Sequence, residues 1–261
     1  AYTKKNGGKG SALNFGIKKA TGEIIVSLDA DSYVTKKALI KMIPYFNEQK
    51  IMAVTPVLKV YKPKGILQRV QAIEYDLGIF LRKAFSKLDS VHVTPGPFSA
   101  YRKSFFEKHG GYDEKNITED MEIALRIQSL NYKIENCLDA VVYTISPKKL
   151  RELTKQRRRW YFGMLKNLWN YKFIFGKNYG ELGAIILPAA IFSVLTVMII
   201  TLYYIKKSIS SSITTLENYS AIGFDFINNF DFKLDLVVNA VYKAIGDNLF
   251  LFTALFVVAT I

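Results

Sequence analysis

Gly22-Glu23-Ile24-Ile25-Val26-Ser27-Leu28-Asp29-Ala30-Asp31-Ser32 changes character within one residue. Its first half is apolar and rich in β-branched side chains, and is short enough to read as a buried strand. Its second half is a pair of carboxylates one residue apart. In open α/β sheets, ligands bind beyond the carboxyl ends of strands, where Asp29 and Asp31 fall. Two neighbouring carboxylates repel each other unless a cation lies near them. A divalent ion shared with a diphosphate meets that need, since Mg²⁺ takes one or two carboxylates plus substrate phosphates. The plainer reading is an acidic turn in which Asp31 or Ser32 caps a helix.

The flanking sequence alternates strand and helix patterns. Gly7-Gly8-Lys9-Gly10 reads as a flexible loop and Ser11 to Lys19 as a short helix ended by Gly22. Thr35 is expected to cap a helix through about Phe46, with Leu39, Ile40 and Ile43 on one face. Ile51 to Val60 and Tyr132 to Ile145 read as strands. Gly65 to Leu88 carries Ile66, Val70, Ile73, Leu77 and Phe80 at helical spacing. Val91 to Arg102 is extended around Pro95-Gly96-Pro97. Ser104 opens a short helix that stops at Gly110-Gly111, and Thr118 is expected to cap a helix to about Leu130. Pro147 opens a long basic helix. This alternation predicts an α/β fold with a parallel or mostly parallel sheet.

The composition excludes several classes. Half of the 261 residues are hydrophobic, which rules out intrinsic disorder. Cys137 has no partner for a disulfide, and with His92 and His109 as the two histidines, any metal would be held mainly by carboxylate oxygens, favouring Mg²⁺ or Mn²⁺. The net charge of +14 is concentrated before residue 180. Leu182 to Ile205 then contains no charged residue, and its 24 residues as a helix reach about 36 Å, against about 30 Å of hydrocarbon. Residues 248–261 read as the start of a second transmembrane helix. Basic residues from Lys148 to Lys177 precede the first span, so the positive-inside rule puts the chain before it in the cytoplasm of a multi-pass cell-membrane protein. The expected organisation is a cytosolic domain over 1–146 and a basic interfacial helix segment over 147–181. A transmembrane helix follows over 182–205, then an extracytoplasmic connector over 206–247 and the truncated span. The opening AYTKKNGGKGSALN reads like the middle of a domain, so an N-terminally truncated fragment is expected.

Four more constellations carry chemistry. Thr118-Glu119-Asp120 puts carboxylates in a first helical turn, where the dipole stabilises them. Alternatively, Asp120 is a general base for an attacking hydroxyl. Gln156-Arg157-Arg158-Arg159-Trp160 reads as a lipid-surface helix with Leu150, Leu153, Trp160, Met164 and Leu168 toward lipid. The same run gives Arg159 a pyrophosphate and Trp160 a sugar face, leaving Arg157 and Arg158 to face lipid. Lys5 to Gly10 is not a Walker A loop, but Lys9 could reach a nucleotide diphosphate. Gly96 sits in a turn where backbone can approach a sugar.

Taken in order, GGKGSALNFG, GEIIVSLDADS, TPGPFSAYR, GGYDEKNITEDMEIALRIQSLNYKI and QRRRW before an apolar span resemble glycosyltransferase family 2 over about residues 4–205. The set of Asp-x-Asp, Thr-Glu-Asp and Gln-x-x-Arg-Trp is similar to its processive membrane members: the cellulose, chitin, hyaluronan and poly-N-acetylglucosamine synthases. The resemblance implies a nucleotide-diphospho-sugar transferase (GT-A-like) fold with a mixed, mostly parallel sheet. It implies that Asp29 and Asp31 hold Mg²⁺ or Mn²⁺ on a UDP-sugar. Asp120 would be the base, supported by Glu119. Gln156, Arg159 and Trp160 would bind the diphosphate and line the acceptor entrance, with Lys9 near the nucleotide. The implied activity is inverting transfer of a sugar to a growing β-linked polysaccharide. The partners would be a UDP-sugar donor, a glycan acceptor and the lipid bilayer, with room for a further membrane subunit and no nucleic acid. The alternatives are a non-processive transferase to a lipid-linked acceptor and a non-catalytic membrane-anchored binding subunit.

Overall fold

A computed structural model describes residues 2–222. The chain divides into two compact units, residues 1–188 and 189–261. In the first, the elements are α1 (Gly8–Lys19), β1 (Ile24–Leu28), β2 (Ser32–Val34), α2 (Ala38–Met42) with a 3₁₀ turn over Ile43–Asn47, and β3 (Ile51–Val60). They continue as α3 (Gly65–Lys87), β4 (Phe98–Arg102), α4 (Lys103–His109), α5 (Glu119–Ser129), β5 (Lys133–Thr144) and α6 (Leu150–Asn170).

The sheet is mixed, in the order β1-β4-β3-β5-β2. Its long central pairing, β3 with β5, is parallel, from Ile51↔Lys133 to Val60↔Thr144. The flanking pairs β1–β4, β3–β4 and β2–β5 are antiparallel. The alternation of elements therefore identifies the class and the parallel centre, but not the reversed direction of β4 and β2. Strand β3 is buried almost throughout, as its continuous apolar run requires of a strand covered on both faces. Pro56 is tolerated inside it at an irregularity, where the register moves from Pro56↔Cys137 to Val57↔Val141. Alternate residues feed two core clusters: Val54, Leu58 and Ala100 enter one, while Ala53 and Tyr101 join Phe105, Ile123, Ile127 and Ile134 in the other.

Helix positions follow the sequence closely; helix faces do not. In α2 the buried side is Ala38 and Met42, joined by Phe46 of the following turn, while Leu39, Ile40 and Ile43 are exposed. Thr35 does not cap α2, because its hydroxyl donates to the Val141 carbonyl at 2.9 Å and the N-cap position falls to Lys37. In α3 the stripe Ile66, Val70, Ile73 and Phe80 is exposed. The buried side carries Gln68 and Gln71, whose amides donate to the Ser146 and Pro147 carbonyls at 2.7 and 3.0 Å. These bonds anchor the strap between β5 and α6.

Two 3₁₀ turns follow α6, and a π-helical turn over Leu182–Ile186 leads into α7 (Leu187–Ile222). Pro188 lacks the N–H that an α-helical bond to Ala184 would need, which accounts for a widened turn just before it. Gly183 is pressed against the preceding turn: a Cβ there would lie 2.1 Å from the Ile174 carbonyl oxygen. Among the described residues, one helical stretch, Leu182–Lys207, is long and apolar enough to cross a membrane. The described part of the second unit is α7 alone, with Phe192, Leu195, Met198, Ile199 and Leu202 exposed along it. The charge-free run ends at Ile205, yet the helix continues to Ile222 into the expected connector. The second span expected over 248–261 lies outside the described residues.

Candidate active site

The loop Thr94-Pro95-Gly96-Pro97 is the hub of the site. The Asp29 N–H donates to the Pro97 carbonyl at 3.0 Å, which fixes the turn after β1. The Thr94 N–H and hydroxyl both donate to the Asp120 carbonyl, at 3.3 and 2.9 Å. Buried Tyr101 on β4 donates its hydroxyl to Thr94 Oγ1 at 2.9 Å. One short loop therefore joins the end of β1 to the start of α5.

Lys9 closes the cluster. It lies in the first turn of α1, which begins at Gly8 rather than Ser11, so it is carried on a helix and not on a mobile loop. Its Nζ lies 2.9 Å from Asp29 Oδ1 and 2.9 Å from Glu119 Oε1. Burial works against its charge, but Glu119 and Asp29 outweigh it and hold the ammonium above its ordinary pKa. Gly96 sits among these groups. A Cβ there would be 2.9 Å from Lys9 Nζ, 3.2 Å from Asp120 Oδ2 and 3.8 Å from Asp29 Oδ2. Lys9, Asp29, Gly96, Glu119 and Asp120 thus converge from four segments distant in sequence.

Asp120 is the perturbed acid. Burial, then the Glu119 charge, push its carboxyl up to about 6, against the opposing effects of Lys9, the Met121 N–H and Arg159. An acid tuned to that range is a usable base near neutral pH.

The remaining expected residues divide. Asp31 is exposed, with Ser32 Oγ 3.4 Å from its Oδ1. It acts on Tyr75 of α3, whose phenol is raised first by burial and in small part by this charge. Gln156 is half-buried, and among the described residues its Oε1 is buried without a hydrogen-bond partner. Arg157 does not face lipid. It pairs with Glu74 of α3 and lies over the Trp160 ring at 4.6 Å from the centroid. Arg158 and Arg159 are exposed. The outward apolar residues of α6 are Leu150, Phe162, Leu165 and Trp169, whereas Leu168 is buried.

Two positions were missed by the sequence reading. Asn14 of α1 donates Nδ2 to the Tyr112 carbonyl at 2.9 Å and accepts from the Tyr112 N–H at 2.7 Å. It thereby ties the helix that carries Lys9 to the loop leading to Asp120. Gly111 makes room for it, since a Cβ there would meet Asn14 Oδ1 at 2.2 Å. The Gly110-Gly111 pair was the available signal, read only as a helix stop. Thr94 is the other, and an isolated threonine in an extended run carries no signal of its own.

Among the described residues, no cluster of three or more His, Cys, Asp or Glu side chains forms a metal cage. Asp29 and the exposed Asp31 offer the oxygen donors that a hard cation such as Mg²⁺ or Mn²⁺ prefers, and Lys9 already pairs with Asp29.

The family of this chain is shown by a match over most of its length. The chain belongs to glycosyl transferase family group 2, whose pattern matches residues 24–257. It is 28% identical over 254 residues to a poly-β-1,6-N-acetyl-D-glucosamine synthase of Staphylococcus epidermidis, covering 91% of this chain and 60% of that protein. It is 33% identical over 159 residues to the Staphylococcus aureus (strain COL) protein of the same name, covering 60% of this chain and 39% of that one. The chain thus spans about 60% of the S. epidermidis protein's length. A solved mannosyltransferase from Pyrobaculum calidifontis, in complex with GDP-Man and Mn²⁺, shares the fold with a TM-score of 0.59 and 19% identity, over 97% of this chain and 65% of that one.

Proposed function

We propose that this chain carries the catalytic region of a membrane-bound inverting transferase that moves a sugar from a UDP-sugar to a growing β-linked polysaccharide. The observation that carries the reading is the convergence of Lys9, Asp29, Glu119 and Asp120 around Gly96. Similarity to named poly-β-1,6-N-acetyl-D-glucosamine synthases supports the substrate class, with N-acetylglucosamine as the first sugar to test.

Asp120 takes the proton from the acceptor hydroxyl. That oxygen forms a bond to the anomeric carbon as the bond from that carbon to the UDP oxygen breaks on the opposite face. The configuration inverts, UDP leaves, and the proton stays on Asp120 until solvent takes it. A positioned base contributes about 10²–10⁴-fold. Glu119 keeps the Asp120 carboxyl basic and anchors Lys9. Lys9, Gln156 and Arg159 bind the diphosphate, and Arg159 offers a planar fork suited to phosphate oxygens. Trp160, backed by Arg157, presents a ring to the acceptor. Asp29 and Asp31 would hold Mg²⁺ or Mn²⁺, which when bound neutralises charge on the departing diphosphate.

The stretch Leu182–Lys207 and the outward apolar residues of α3 and α6 support attachment to a bilayer, with the catalytic unit on the cytoplasmic side. The test is incubation of the membrane-embedded protein with radiolabelled UDP-GlcNAc and UDP-Glc, with and without Mn²⁺. A metal-dependent ladder of products is expected. A single added sugar would favour the lipid-linked acceptor, and no incorporation from either donor would remove the enzyme reading.

A further inference from the structure

The contact between α5 and α6 is built from small and polar groups. On α6, Gln156, Arg159, Gly163 and Asn167 follow one another at spacings of three and four, so they form one stripe. Its lower end is buried against the turn that precedes Asp120. A Cβ at Gly163 would lie 2.1 Å from Thr118 Oγ1, 2.3 Å from its Cγ2 and 2.7 Å from its Cβ. The Thr118 side chain therefore packs directly on the α6 backbone at Gly163.

One turn further, Asn167 is fully buried. Its Nδ2 donates to Thr118 Oγ1 at 3.0 Å and to the Thr118 carbonyl at 3.3 Å. Its Oδ1 accepts from Asn116 Nδ2 at 2.6 Å, and Asn116 Oδ1 accepts the Thr118 N–H at 3.1 Å. Thr118 fills the N-cap position of α5, but its hydroxyl makes no capping bond and serves this network instead. Past the end of α6, Tyr171 donates to Glu122 Oε1 at 2.6 Å, and Glu122 also pairs with Arg126.

This is costly construction for a helix that only had to rest on a membrane. A satisfied buried amide network holds one geometry rather than many. The seam begins two residues before Asp120 and lies one helical turn beyond Arg159.

We infer that Gly163 and Asn167 are positioning residues: they lock α6 to the Thr118 turn and so set the distance between Arg159 of α6 and the base Asp120. The inference rests on the reading of Asp120 and Arg159 given above. Neither Gly163 nor Asn167 touches substrate in this scheme; each acts through Thr118.

The experiment uses the full-length protein in membranes or nanodiscs, with kcat, donor KM, UDP affinity and unfolding midpoint measured together. Gly163→Ala should lower kcat by about tenfold or more, because a displacement of about 1 Å can cost about 100-fold. Donor KM and UDP affinity should change less than kcat, since Lys9, Asp29 and Asp31 still hold the diphosphate and its metal when α6 is displaced. Asn167→Ala should show the same split. A Gly163→Ala enzyme with parental kcat, or a loss confined to KM, would overturn the inference. If the parent itself transfers no sugar, the functional reading fails first; an active parent with indifferent variants sinks only the lock.

Discussion

In the proposed scheme, Asp120 is the residue on which the chemistry turns. Its carboxyl is pushed up to about 6 by burial and by Glu119. A base must be deprotonated to act, so kcat should fall as pH drops through about 6. Lys9 opposes the shift, and Lys9→Ala should therefore move that acid limb to higher pH; an unmoved limb would separate Lys9 from the base. Asp120→Asn should abolish transfer while UDP still binds, as read by nucleotide titration and product assay on the same preparation. Asp31 is exposed and free to meet an ion brought by the donor. Asp31→Ala should lose Mn²⁺-dependent UDP binding, and a titration identical to the parent's would exclude Asp31 from metal binding. Gly96 shows how local the constraint is, because its missing side chain leaves room for three charged groups.

At the level of elements, α6 is held from two sides. Asn167 and Gly163 bind it to the start of α5, while Arg157 pairs with Glu74 on α3. Both partners of that ion pair are mostly buried, at 15% and 10% side-chain exposure. Burial raises the Glu74 carboxyl above its ordinary pKa, and Arg157 works against that shift. Truncating one member leaves the other without its charge partner, at a cost of up to about 3–5 kcal/mol for fully buried pairs. Glu74→Ala should lower the unfolding midpoint and loosen Trp160, seen as a change in its fluorescence. The polar inner side of α3 has the same purpose as this pair, with Gln68 and Gln71 gripping the strap that leads into α6. An apolar inner face would pack α3 as well but would leave the strap carbonyls without donors.

At the scale of the whole molecule, a transferase unit and an apolar helix occur in one chain. The protein should remain in the pellet after alkaline carbonate washing, which strips surface-bound proteins. Recovery in the supernatant would mean that Leu182–Lys207 does not span a bilayer. High salt should not release the protein either, since apolar insertion, unlike attraction of a +14 chain to anionic lipid, is not screened.

Much was legible in the residues. Strand β3 was located end for end, because a long apolar run bounded by polar turns admits few other structures. Helix α5 and the acids at its start were located for a similar reason: carboxylates favour a first turn. The helix faces were not legible. Ile66, Val70, Ile73 and Phe80 have the spacing of a core stripe, but a surface turned away from the described core satisfies the same pattern. Periodicity gives a helix its stripe and says nothing about which medium meets it. The chain determined by itself which elements form and which acids they carry, because those are short-range properties of propensity and charge. Only the tertiary structure brought Lys9, Asp29, Gly96 and Asp120 to one point, and set Asn14, Thr94 and Asn167 to hold them there. Such contacts join residues up to about a hundred positions apart, and local patterns hold no record of which distant carbonyl a buried amide will meet.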